Sequence, residues 1–170
     1  GAAGSGGGVL NDQGTVSVVN STISKNSAVR AGGGIEANVG TTSVDRTTLS
    51  ENTAGDGPGN GGAFHLTGAG TVEVKRSTVT DNVAASEGGG LWNSAAGVFT
   101  VVDTVVSGNE AKGNDADQGG GGLFNDGGQL TILQSTVTNN VATGTSGSGG
   151  GVSSLGGTLT VRQTDFSSNV

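Results

Sequence analysis

The residues best placed to do chemistry or recognition are one histidine, the single tryptophan and a phenylalanine standing at equivalent positions of a repeat. His65, Trp92 and Phe124 each come two residues after a glycine cluster, one step beyond an apolar residue. The same station is held by Leu10, Glu36 and Ser153 in the other copies. If the copies stack, the three rings form a contiguous strip on an outer face. Such a strip suits a covering loop of the same chain, a subunit interface, or a platform on which sugar rings stack.

A second group is charged. Asp45-Arg46, Lys75-Arg76 and Asp103 fall on successive copies at one bend, with Arg162 further along the line. Polysaccharide lyases use carboxylates, Ca²⁺ and a basic residue on an outer face, and in that reading Arg76 is the basic residue whose loss would abolish activity. Opposite charges on neighbouring strands are equally what ordinary cross-strand pairs require. The only histidine lies away from this bend, and no pair of carboxylates has the spacing for acid–base hydrolysis. Asn114-Asp115-Ala116-Asp117 offers two carboxylates and one amide, short of the six to eight oxygens Ca²⁺ prefers. With no cysteine there is no thiol chemistry and no disulfide. The expectation is therefore no catalytic residue, no metal site and no cofactor.

A third pattern is a lattice of hydroxyls. Thr22-x-Ser24, Thr48-x-Ser50, Thr78-x-Thr80 and Thr136-x-Thr138 would lie on one flat face, interrupted by Val105 and Asp165. A Thr-x-Thr lattice on a β-solenoid resembles ice-binding proteins, although Thr and Ser are also what any exposed strand favours.

What must position all of these is an internal repeat. Glycine clusters end in an apolar residue at Val9, Ile35, Phe64, Leu91, Leu123 and Val152. Blocks of constant length follow, running from Thr15, Thr41, Thr71, Val98, Gln129 and Thr158 to Asn26, Asn52, Asn82, Asn109, Asn140 and Asn169. The period spans 26 residues from Val9 to Ile35 and 32 from Leu91 to Leu123. Within each block apolar residues alternate with small polar ones, the period of a strand. No stretch carries helical spacing. The six copies predict an all-β, right-handed parallel β-helix occupying residues 1–170 as one domain, with six coils starting near 6, 32, 61, 88, 119 and 149 and no caps. At about 4.8 Å per coil the rod would be about 29 Å long.

Three columns should face inward: Val18, Val44, Val74, Val101, Ile132, Val161; Ile23, Leu49, Val79, Val106, Val137, Phe166; and Val16, Val72, Phe99, Leu130, Leu159, with Thr42 the exception. One coil buries too few apolar side chains to offset the ordering of its own backbone, so stacking is obligatory. The six Asn residues and a second column, Ser21, Thr47, Ser77, Thr104, Ser135 and Thr164, read as structural ladders that satisfy the corners. The glycines read as tight bends or close backbone approaches. No Lys-Ser/Thr follows them, so they are not a phosphate cradle.

Composition limits the partners. Among 170 residues there are 36 Gly and one Pro, and the net charge of −7 argues against binding nucleic acid. No apolar run approaches the length of a membrane span.

The Gly-Gly-x-apolar cluster and the elements Ile23-Ser-Lys-Asn26, Leu49-Ser-Glu-Asn52, Val79-Thr-Asp-Asn82, Val106-Ser-Gly-Asn109, Val137-Thr-Asn-Asn140 and Phe166-Ser-Ser-Asn169 resemble the GGA(I/L/V) and FxxN repeats of polymorphic outer-membrane proteins. They also resemble the β-helical passengers of bacterial adhesins. The resemblance covers the whole chain and implies surface display, adhesion or a passenger stalk. The junction read across Asn169-Val170 and Gly1-Ala2-Ala3-Gly4 would make a linker between coils, so either a longer array or end-to-end stacking of copies is expected. The functional expectation is an extracellular structural or adhesive solenoid whose partner is itself, with surface glycans as a further candidate.

Overall fold

The computed structural model describes residues 4–55 and 57–170; the linker reading at Gly1–Ala3 lies outside them. The described residues form a parallel β-solenoid of six coils with no helix. Each strand pairs in parallel with its counterpart in the adjacent coil, giving four stacked sheets.

Sheet 1 contains Val9–Asp12, Ile35–Asn38, Phe64–Thr67, Leu91–Asn93, Leu123–Asn125 and Val152–Ser154. Sheet 2 contains Thr15–Val19, Thr41–Asp45, Thr71–Lys75, Val98–Val102, Gln129–Leu133 and Thr158–Arg162. Sheet 3 contains Thr22–Ser24, Thr48–Ser50, Thr78–Thr80, Val105–Ser107, Thr136–Thr138 and Asp165–Ser167. Sheet 4 has five two-residue strands, each ending on an alanine from Ala28 to Ala142.

The predicted inward columns are in register throughout sheets 2 and 3. Val44, Val74, Val101 and Ile132 are completely buried, as are Leu49, Val79, Val106 and Val137. Phe64 meets Phe99 edge-on across the core, with ring centroids 5.4 Å apart. Thr42 breaks the apolar column because a polar group lies over it. Its Oγ1 accepts a hydrogen bond from Asn11 Nδ2 at 2.9 Å, inside the core of the neighbouring coil.

Both polar columns are ladders, and both have a direction. The backbone N–H and the Nδ2 of Asn52 donate to Asn82 Oδ1 at 2.9 and 3.0 Å, while Nδ2 also donates back to the Ile23 carbonyl at 2.9 Å. The pattern repeats coil by coil to Asn169. In the Ser/Thr ladder each backbone N–H donates to the hydroxyl oxygen of the next coil, as Thr47 does to Ser77 Oγ at 3.1 Å. Each hydroxyl donates to the carbonyl two residues before it, as Ser77 does to Lys75. Amides and hydroxyls thus satisfy corner groups that strand pairing leaves over.

The residue before each ladder position adopts the left-handed conformation. Between sheets 2 and 3 these are Asn20, Arg46, Arg76, Asp103, Gln134 and Gln163, with φ between 47° and 50°. Glycine is used where a side chain would collide. A Cβ on Gly62 would stand 2.1 Å from the Gly89 carbonyl oxygen of the next coil, and one on Gly33 2.4 Å from that of Gly62. The clusters therefore exist so that one coil's backbone can lie against the next.

Candidate functional site

Sheet 1 follows the glycine clusters, and strand alternation sends the middle residue of each strand to its outer side. Leu10, Glu36, His65, Trp92, Phe124 and Ser153 stand there in one register row. Because parallel strands bring equivalent residues about 4.8 Å apart, flat side chains in one row stack face on face. His65 and Trp92 do so with centroids 4.3 Å apart and an interplanar angle of 20°. Trp92 and Phe124 are nearly parallel at 6.4 Å.

The row is contiguous as expected, but it is not an exposed strip. His65 is 5% exposed, Trp92 8% and Phe124 1%. Alternation specifies the face of a strand and is silent about what lies over it. Here the turns that precede the strands pack against the row: a Cβ on Gly88 would lie 3.1 Å from Trp92 Cβ, and one on Gly61 2.7 Å from His65 Cβ. Glu87, just before the turn, accepts the Trp92 indole N–H at 2.9 Å. The rings are thus covered by the short turns before their own strands and by Glu87, in place of the long covering loop the sequence suggested.

Glu36 and Thr67 complete the row's chemistry. The Glu36 carboxylate meets His65 Nδ1 at 2.8 Å through one oxygen and accepts the Thr67 hydroxyl at 2.7 Å through the other. Glu36 was visible in the sequence column, one coil before the histidine; Thr67 and Glu87 lie off that column, and alternation gave no reason to select them. A carboxylate on one nitrogen of an imidazole orients the ring, as in general-base catalysis. Here the ring is also clamped on the indole face and enclosed, so the geometry is that of a packed polar pair.

Glu87 has an ionisation shaped by this packing. Burial pushes its carboxyl above the ordinary range, the Trp92 N–H pulls the other way, and the nearby Asp126 and Asp117 raise it further. The variable segments around it are tied together as well. The Asn114 side-chain oxygen accepts the Thr145 N–H at 3.2 Å, and the Asp115 N–H donates to Gln118 Oε1 at 3.1 Å. The stretch 114–117 is thus a hydrogen-bonded loop, and no group of three or more His, Cys, Asp or Glu able to hold a metal occurs among the described residues.

The charged bend resolves into pairs within and between adjacent coils. Arg76 donates to Asp45 Oδ2 at 2.6 Å, Arg46 lies 3.3 Å from the same oxygen, and Arg46 Nε donates to Asn20 at 2.9 Å. The Arg76 hydrogen bond, opposed by burial and helped by Arg46, holds the Asp45 carboxyl below its usual range. Lys75 is paired with Glu73 on its own strand. The Thr/Ser rows of sheet 3 are in register, and neighbours touch: Ser107 Oγ lies 3.3 Å from Thr80 Oγ1, and Thr138 Oγ1 3.0 Å from Ser167 Oγ. No protein-family model, curated protein or solved structure matches the chain.

Proposed function

We propose that the chain is a non-catalytic structural rod, an extracellular fibre, stalk or adhesin element whose coil stack is extended head to tail. The observation that carries this reading is that the core is made entirely by stacking coil on coil. The core columns are 0–1% exposed in coils two to five, where a coil lies on either side.

The distribution of polar side chains supports the same reading. The Asn and Ser/Thr columns are spent on ladders, Glu36 and His65 on one another, and Asp45 on Arg76. What varies between coils is a set of loops and surface rows, the usual arrangement of a display scaffold. Surface location rests on the likeness of the repeats to those of polymorphic outer-membrane proteins and adhesin passengers.

Electron microscopy of the purified chain tests the proposal. Elongated particles with an axial repeat of about 29 Å, six strand spacings, are expected. Compact monodisperse particles at every concentration would count against it.

A further inference from the structure

Asn60 carries a buried oxygen that needs a donor. The residue is 8% exposed, and its Oδ1 has no hydrogen-bond partner among the described residues. An acceptor left unpaired in the interior is costly, so a donor is expected to meet it. The path of the chain supplies a neighbour. Asn60 and Glu87 form a parallel bridge between the segments that open coils three and four. The Gly61 N–H donates to the Glu87 carbonyl and the Ser86 N–H to the Gly59 carbonyl, both at 2.9 Å, which fixes the register. Residues paired in this way carry their side chains to the same side, about 4.8 Å apart at the backbone. Glu87 is half-buried, and its Oε2 already accepts the Trp92 indole N–H at 2.9 Å. That leaves Oε1 for Asn60. A carboxylate there sets acceptor against acceptor, whereas a carboxylic acid is a donor.

We infer that Glu87 is a pH-sensitive clasp: its carboxylic acid O–H donates to Asn60 Oδ1 while its other oxygen accepts from Trp92, joining coils three and four more firmly in acid. This goes beyond the structural role and does not depend on it. The surroundings favour the neutral form. Burial pushes the Glu87 carboxyl above its ordinary value, the Trp92 N–H opposes this, and the charged groups acting on it, Asp126 and Asp117, are both acidic. His65, stacked on the indole at 4.3 Å, is itself held by Glu36. A raised carboxyl contributes its full stabilisation below the unfolded value and loses it as pH rises through the folded one. Above that point the anion faces the Asn60 oxygen and two further carboxylates, and the clasp opens beside Trp92.

A double-mutant cycle isolates the bond, because the separate effects of each truncation cancel. Asn60→Ala and Glu87→Ala, singly and together, are followed by urea denaturation at about pH 4 and about pH 8. A coupling of about three- to tenfold in the unfolding equilibrium is expected in acid, and none at the higher pH. In a Glu87→Gln background, which supplies a donor at every pH, Asn60→Ala should cost the same at both. Trp92 emission should show an inflection above 4.5 that Glu87→Gln removes, a readout that needs neither alanine variant to fold in acid.

Coupling that is absent in acid, or equal at the two pH values, would overturn the inference. So would coupling confined to the higher pH, which would mean that the Asn60 amide is turned over and donates to an ionised Glu87. Trp92 emission without the inflection would overturn it as well. None of these outcomes bears on the structural role, which electron microscopy tests separately.

Discussion

Replacing Asn82 by alanine should be far more damaging than the same change at Asn26. Asn82 is completely buried in the third coil. Its oxygen accepts from Asn52 N–H and Nδ2 at 2.9 and 3.0 Å, and its Nδ2 donates to the Leu49 and Thr80 carbonyls and to Asn109 Oδ1 at 2.9–3.0 Å. Alanine leaves the Asn52 N–H with no acceptor and deprives two carbonyls of a donor. At about 1–3 kcal/mol per stranded buried group, with partial relaxation, the loss should be about 2–5 kcal/mol. For a chain of this size that is a fall in Tm of about 5–20 °C. Asn26 is only half-buried, and its Nδ2 donates to Asn52 alone, whose Oδ1 keeps the Asn26 N–H. Water replaces what is lost there, so the cost should stay under about 1 kcal/mol. Urea denaturation can be followed by far-UV circular dichroism and by Trp92, the single tryptophan, which lies one coil beyond Asn82. Equal losses for the two variants would refute the ladder argument, because they would mean that buried amide stacking contributes no more than a solvated one.

The remaining expectations concern one acid and two backbone positions. The Glu87 carboxyl is raised above its ordinary 4.5, mainly by burial, so its contribution is full below that value and is lost as pH rises through the raised folded value. Glu87→Gln, which keeps an acceptor for Trp92, should raise Tm at pH 7 and flatten its dependence between pH 4 and 7; an unchanged pH profile would refute the assignment. Gln134→Gly should stabilise by up to about 1 kcal/mol, because an exposed side chain there holds φ at 50°. Gly62→Ala should cost at least about 2–3 kcal/mol, since its Cβ would press on the Gly89 carbonyl; denaturation midpoints measure both.

The architecture was legible because two periodicities coincide. Alternation within the blocks separates inward from outward residues, and the recurrence of Asn26 through Asn169 sets which residues stack. Both are local statements about strands, and both hold in the register of sheets 2 and 3. The site was legible only as a row. That His65, Trp92 and Phe124 stack follows from register, but their burial depends on how the preceding turns lie over sheet 1. Those turns belong to segments of unequal length and composition, where no repeat constrains the path. Thr42 illustrates the same limit within the core. It looks like a defect in an apolar column until Asn11, an inward residue of a different sheet, is placed above it.

The row that varies most between coils also has a physical task that uniform columns cannot perform. Six coils with interchangeable Val, Leu, Ala and Asn columns could pair with the wrong neighbour and still bury nearly the same surface. A uniform charged row would set like charges about 4.8 Å apart, which is unfavourable. Glu36 beside His65, and His65 on Trp92, are interactions available only to coils two, three and four in that order. Asp45 with Arg76, and Asn11 with Thr42, add pairs specific to adjacent coils. Skipping a coil would bury Glu36 against an indole and strand Asn11 beneath a valine, in each case an unpaired polar group in the interior. The heterogeneous pairs therefore specify the order of coils that the repeated ladders hold together.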